Sequence, residues 1–246
     1  SGLFPSCDDS APELTLCRFC ARGRKPASGG QAEGRMDEPR PVTAPEWRVG
    51  PRRFLNRKTP MTKFSDLKLD PKVLQAIAEA GYETPTPIQL GAIPPALEGR
   101  DVLGIAQTGT GKTAAFSLPM LTRLLIAGER PAPKSCRALI LAPTRELATQ
   151  IAQNVESFAK GTGLRTFRVV GGASINVQVD RLERGVDILI ATPGRLIDLI
   201  ERRAIRFDQT RYLVLDEADQ MLDLGFIHAL KRIVKLLPAQ RQSLFF

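Results

Sequence analysis

Eight consecutive residues, Ala106-Gln107-Thr108-Gly109-Thr110-Gly111-Lys112-Thr113, place two glycines ahead of a lysine and a hydroxyl. Glycines let a main chain approach an anion closely, and N–H groups at a helix N-terminus bind phosphate. Lys112 can then reach the outer phosphates of a nucleotide, and the Thr113 hydroxyl suits Mg²⁺. The spacing is that of a phosphate-binding loop if a strand precedes it and a helix follows. The plain alternative is a Gly-rich turn, which Gly-Lys-Thr at such a junction disfavours.

A second cluster, Asp216-Glu217-Ala218-Asp219, follows the apolar run 212–215. A carboxylate at the C-terminal end of a parallel strand faces the ligand crevice of an open α/β sheet. Asp216 can hold Mg²⁺ through water, and Glu217 can orient and deprotonate an attacking water. Alone, these residues read better as a solvated acidic turn, Asp219 included, that caps the next helix. Beside a phosphate loop each site supplies what the other lacks. Together they specify a nucleoside-triphosphate hydrolase and no more.

Three further groups narrow the class. Phe64 stands 17 positions before Gly81-Tyr82-Glu83-Thr84-Pro85-Thr86-Pro87-Ile88-Gln89. The Gln89 amide can donate to and accept from an adenine edge together, which would reject guanine, and the Phe64 ring could stack on the base. Singly, Phe64 reads as a core aromatic and Gln89 as a helix-surface amide. Pro143-Thr144-Arg145 and Thr192-Pro193-Gly194-Arg195 each follow an apolar run and open a helical pattern, and Gly171-Gly172 follows a third run. A hydroxyl, a guanidinium and a helix N-terminus are suitable ligands for a nucleic-acid backbone. For each group the plain alternative is a helix cap or turn with a surface arginine.

In this order the motifs resemble those of the DEAD-box helicases, over residues 64–246. The segment Met221-Leu222-Asp223-Leu224-Gly225-Phe226 follows the same pattern, in the style of bacterial members of the RhlE type. The resemblance implies a RecA-like P-loop domain that binds ATP and Mg²⁺ and contacts the RNA backbone with little sequence specificity. It implies catalytic roles for Glu217, Lys112 and Asp216. ATP contacts would come from Phe64, Thr84, Gln89 and residues 106–113, and Mg²⁺ contacts from Thr113 and Asp216. RNA contacts would come from Pro143, Thr144, Arg145, Gly171, Gly172, Thr192, Pro193, Gly194 and Arg195, and interdomain coupling from Asp219. The preference for RNA rests on the resemblance and not on composition. One departure stands out: the family's Ser-Ala-Thr motif would begin directly after Phe246. The expectation is a chain cut within the strand that lies between the phosphate-loop strand and the Asp-Glu-Ala-Asp strand, lacking a second RecA-like domain and its arginines. Because an arginine finger contributes about 10³- to 10⁵-fold in rate, such a fragment should hydrolyse ATP poorly and unwind no duplex.

The elements that must position these residues are legible as alternating patterns. Near-continuous apolar runs at 101–105, 137–141, 166–170, 187–191 and 212–215 read as strands, and 243–246 as the start of another. Their character is that of strands covered on both faces. Helices are expected from Asp70-Pro71 to about Gly81, from Thr86-Pro87, and over 145–160, 195–203 and 227–237. The fold class is therefore α/β, a doubly wound parallel sheet with helices on both faces. About 186 residues suffice for its core.

Residues 1–60 differ: they hold 8 of the 19 prolines and lack apolar periodicity. They read as a disordered lead, with Met61 a candidate translation start. A formal net charge of +9 from 35 Lys and Arg against 26 Asp and Glu suits a polyanionic partner or simple solubility. No run approaches the ~18 to 20 apolar residues of a membrane span, and no secretory signal is apparent. Four cysteines without a disulfide framework fit a reducing cytoplasm. The lone pair Cys17 and Cys20 is too few for structural zinc. Ser28-Gly29-Gly30-Gln31, Trp47 and His228 read as coincidental. Two other readings compete: a GTPase or metabolite kinase, against which stands the lack of an Asn-Lys-x-Asp segment, and a non-enzymatic RNA-binding module.

Overall fold

The computed structural model describes residues 63–107 and 109–246. The disordered lead expected over 1–60, with Cys7, Cys17, Cys20 and Trp47, lies outside them, as do Met61 and Thr108. A 3-10 turn, Phe64–Leu67, precedes α1 (Pro71–Glu79) and α2 (Pro87–Leu97). Strands and helices then alternate: β1 (Val102–Leu103), α3 (Lys112–Ala127), β2 (Cys136–Leu141), α4 (Arg145–Phe158), β3 (Thr166–Val169), α5 (Ile175–Leu182) and β4 (Val186–Ala191). After α6 (Pro193–Glu201) and β5 (Tyr212–Leu215) come α7 (Ala218–Asp223), α8 (Ile227–Leu236) and β6 (Gln242–Phe245).

Local chemistry sets the helix starts. Asp70 caps α1 by accepting from the Lys72 N–H at 2.8 Å, and Pro71 occupies the first turn where a missing N–H costs nothing. Thr144 caps α4, accepting from the Leu147 N–H at 3.1 Å. Thr86 and Gln89 form a reciprocal capping box at α2.

All strands are parallel, in the order β1-β6-β5-β2-β4-β3. The strand that closes the described chain, β6, lies between β1 and β5, as the family resemblance implied. Strand side chains alternate between two cores. Ala138, Ile140, Val214 and Leu244 pack with α1–α4, while Leu139, Leu141, Leu213 and Leu215 pack with α5–α8. That double covering is why β2 and β4 are buried at every position.

Two elements differ from the sequence reading. β1 is two residues long rather than five, because it lies at the sheet edge and pairs with β6 alone. Past it Gly104 donates to the Phe245 carbonyl at 2.8 Å, and a Cβ there would lie 2.6 Å from the Phe246 ring. α5 had no clear sequence signal: only eight residues long, it buries just Gln178 and Leu182. Among the described residues no helix is long and apolar enough to cross a membrane.

Opposite the strands' C-terminal edge, Arg137 and Asp187 sit beside one another on β2 and β4 with side chains 4% and 7% exposed. Arg137 Nη1 donates to Asp187 Oδ1 at 3.0 Å and Nη2 to the Leu124 carbonyl at 2.9 Å. Asp187 Oδ2 accepts from the Arg165 N–H at 2.8 Å. This network ties α3 and the entry to β3 into the sheet.

Candidate functional site

Because every strand runs the same way, the segments leaving β1 to β5 emerge at one edge of the sheet. The strand order divides that edge. β1, β6 and β5 carry the phosphate loop and the acidic cluster, while β2, β4 and β3 carry the two arginine segments and the paired glycines.

On the first half, Lys112 begins α3, whose opening N–H groups lack intrahelical partners. Gly111 precedes it at φ +89°, a conformation costly for other residues. A Cβ at Gly111 would collide with Gln89 Nε2. The loop is held from α2. Gln89 Nε2 donates to the Gly111 carbonyl at 3.1 Å, and the Thr86 hydroxyl donates to the Thr110 carbonyl at 2.9 Å. Gln89 Oε1 accepts from the Thr86 N–H at 2.9 Å. Gln89 is 1% exposed, so it is a loop support and not the helix-surface amide of the plain alternative.

The Phe64 ring, expected to be available for stacking, is 4% exposed. It meets Tyr82 edge-on at 6.4 Å, and Tyr82 meets Phe158 edge-on at 5.4 Å. In this conformation it seats the segment ahead of α2 in the core. Thr84 and Gln107 are exposed, while Ala106, Thr110 and Thr113 are half-buried.

Asp216 and Glu217 leave β5 beside that loop. Asp216 is 3% exposed, and its Oδ1 has no hydrogen-bond donor among the described residues. Burial pushes its carboxyl up to about 6, opposed by the positive charge of Lys112 and reinforced by Glu217. The fold thus brings Lys112 within electrostatic reach of Asp216. Glu217 adopts φ 53°, ψ 52°, a left-handed conformation that a non-glycine residue keeps only when its surroundings impose it. Its N–H donates to the Phe246 carbonyl at 2.8 Å. Asp219 is exposed on α7 and accepts from the Gln220 N–H at 2.9 Å.

A divalent cation fits these residues. Asp216 Oδ1 is a buried oxygen without a partner among the described residues, and Thr113 lies in the first turn of α3. Among the described residues no cluster of three or more His, Cys, Asp or Glu could hold a metal. One carboxylate and one hydroxyl suit an ion that also draws oxygens from a phosphate, as Mg²⁺ does.

The buried carboxyl has a measurable consequence for stability. Below about pH 4 it is protonated whether the chain is folded or not. Between about 4 and about 6 the unfolded chain gives up this proton first, so stability falls as pH rises, by up to about 3 kcal/mol, and then levels. Asp216→Asn should abolish that slope and raise the unfolding midpoint at pH 7 but not at pH 4. Urea titrations of both proteins across this range test it, and equal slopes would refute it.

On the second half, Pro143, Thr144, Arg145, Gly171, Gly172, Thr192, Gly194 and Arg195 line a groove of about 560 Å³ together with Glu146, Asp198 and Phe226, and Pro193 is not in its lining. The Arg145 guanidinium lies over the paired glycines: a Cβ at Gly171 or at Gly172 would stand 2.8 Å from its nitrogens. Gly172 is also at φ +86°. Pro143 and Pro193 are buried and shape the turns, and Thr192 is 8% exposed. Thr144 uses its hydroxyl oxygen as the α4 cap. Arg195 Nη1 donates to the Ala173 carbonyl at 2.9 Å, and Nε faces Asp198 Oδ2 at 3.4 Å. Gln178, which no motif reading singled out, packs beneath this groove.

Known proteins share this arrangement of segments. A family model described as DEAD/DEAH box helicase matches residues 86–246. The chain is 45% identical over 186 residues to "ATP-dependent RNA helicase CshA" of Listeria monocytogenes, covering 76% of this chain and 35% of that protein. It is 48% identical over 183 residues to "RNA helicase CrhR" of Synechocystis, covering 74% and 36%. It is 45% identical over 193 residues to "ATP-dependent rRNA helicase RRP3" of Meyerozyma guilliermondii, covering 78% and 40%. The chain therefore spans about a third of the length of the curated relatives it matches. A match that opens at the cap of α2 and runs through every strand of the sheet makes this chain a member of the DEAD/DEAH box helicase family.

Proposed function

We propose that this chain is the ATP-binding domain of an ATP-dependent RNA helicase, carrying the nucleotide site and part of an RNA track. The observation that carries the reading is the buried Asp216 carboxylate, whose Oδ1 has no partner among the described residues, at the sheet edge from which the Lys112 loop also emerges. A lysine at a helix N-terminus and a carboxylate at the same sheet edge suit a metal-bound triphosphate. The names of the relatives support the choice of ATP and RNA.

The N–H groups at the start of α3 and the Lys112 ammonium bind and orient the outer phosphates. Thr113 and Asp216 would hold Mg²⁺, which when bound neutralises charge developing on the phosphate oxygens. Glu217, on the rim beside Asp216, positions a water and accepts its proton as the water attacks. Gln89 retains one amide hydrogen and one oxygen lone pair beyond those it spends on the loop, and since it is 1% exposed its pairing with an adenine edge requires the loop to open on binding. Phe64 seats the segment ahead of α2 from the core, and exposed Thr84 would meet the nucleotide from the same segment. Along the groove, Arg145, Arg195, Thr192 and the glycine turn bind backbone phosphates without reading bases. Exposed Asp219 is placed to couple the site to a further domain.

Competition against a fluorescent ATP analogue tests the nucleotide assignment. ATP should displace it at least tenfold more effectively than GTP. Gln89→Ala should weaken ATP by about tenfold or more, since it frees the loop and removes the base contact together. Equal competition by the two nucleotides would sink the adenine assignment.

A further inference from the structure

Gln178 belongs to none of the motifs, yet its side chain joins two parts of the groove. It is 4% exposed on the inner face of α5. Its Nε2 donates to the Val170 carbonyl at 3.0 Å, immediately before the Gly171-Gly172 turn. Its Oε1 accepts from Arg195 Nη1 at 3.3 Å, the nitrogen that also donates to the Ala173 carbonyl just past that turn. The Arg195 side chain is only 15% exposed, and its Nε is directed to Asp198. The Nε and Nη1 positions thus face protein, while Nη2 has no acceptor among the described residues.

We propose that Gln178 is a positioning residue for RNA. By bridging Val170 and Arg195 it holds the glycine turn and the guanidinium in one register, with Nη2 directed to an incoming phosphate oxygen. A long arginine side chain otherwise loses rotational freedom on binding, and the bridge removes that loss beforehand. An amide is the group required here, because it donates to a carbonyl and accepts from a guanidinium at once. A carboxylate would leave Val170 without a donor and would offset the positive charge meant for phosphate. Arg145 lies over the same glycines, so the bridge acts on both arginine segments. The inference rests on the reading of this groove as an RNA backbone track.

Binding of fluorescently labelled single-stranded RNA to the complete chain, across a salt series, tests it. The proteins compared are wild type, Gln178→Met, Arg195→Ala, their double variant, and Arg145→Ala. Gln178→Met keeps the volume and loses both hydrogen bonds. It should weaken binding by about tenfold. The slope of log affinity against log salt should fall by about 0.7, the value for one phosphate contact on a single strand. Arg195→Ala should show the same loss of slope, and the double variant should bind no more weakly than Arg195→Ala alone, because both changes remove one contact. Affinity for the fluorescent ATP analogue should stay within about twofold of wild type for Gln178→Met, a separation that loss of fold would not produce. Should Gln178→Met not fold, Gln178→Asn, an amide too short to span both partners, is read by the same slope. Wild-type slope and affinity in a folded variant, or effects that multiply in the double variant, would overturn the role of Gln178. If Arg145→Ala and Arg195→Ala both bind RNA as wild type does, the groove reading fails, and the inference with it.

Discussion

Glu217→Gln in the full-length protein that carries this domain is expected to lower ATP turnover by about 10²- to 10⁴-fold, the usual contribution of a general base, while leaving RNA and ATP binding in place. Gln has the shape of Glu, so the left-handed backbone at this position is undisturbed. A residue at φ 53°, ψ 52° costs about 1–3 kcal/mol and persists only where neighbours hold it. Here the Glu217 N–H donates to the Phe246 carbonyl, and the Glu217 carbonyl accepts from the Met221 N–H at 3.1 Å, the first turn of α7. The effect is to turn the chain sharply out of β5 while Asp216 stays buried and Glu217 reaches the rim. Phosphate release at saturating ATP and RNA is the measurement. A rate within threefold of wild type would assign the base elsewhere.

A second large effect falls far from the chemistry. Arg137→Met should destabilise the domain by about 3–5 kcal/mol, because it leaves Asp187 buried without its counter-charge. Each side chain is almost fully enclosed, and the surrounding acceptors and donors are already matched: Leu124 to Arg137, and Arg165 to Asp187. Burying charge is costly, so the pair itself adds little net stability, and the penalty comes from breaking it. The double change Arg137→Met with Asp187→Leu should recover much of the loss. Urea midpoints of the three variants decide between this account and a purely steric one, in which the double variant would be the least stable.

These cases mark what a one-dimensional reading can reach. The phosphate loop and the acidic cluster were legible because their chemistry lies in contiguous residues at predictable strand ends. Lys112, Asp216 and Glu217 stood out as candidates only because the two motifs occur together, and the alternation of apolar runs with helical patterns pointed to a sheet covered on both faces. Gln89 was legible as a residue of interest, but not its attachment to the Gly111 carbonyl, because that hydrogen bond depends on how α2 packs against the loop. Phe64 was legible as an aromatic in a motif, but not the edge-on stack that places it in the core.

Gln178 and the Arg137–Asp187 pair were not legible at all. A glutamine in a short helix of mixed polarity has no signature, and it matters only because α5 packs beneath the end of β3 with Arg195 alongside. Arg137 and Asp187 face each other because β2 and β4 are neighbours in parallel register, although β3 separates them in the chain. By itself the sequence determined most of the strands and longer helices, the contiguous candidate ligands of a phosphate and a cation, and the sheet edge at which they emerge, since local spacing and strand polarity are enough for these. The strand order decided the rest. Only that order sets β1 and β5 on either side of β6 and so brings Lys112 to Asp216, and pairing between distant segments is paid for by long-range packing that no local pattern encodes.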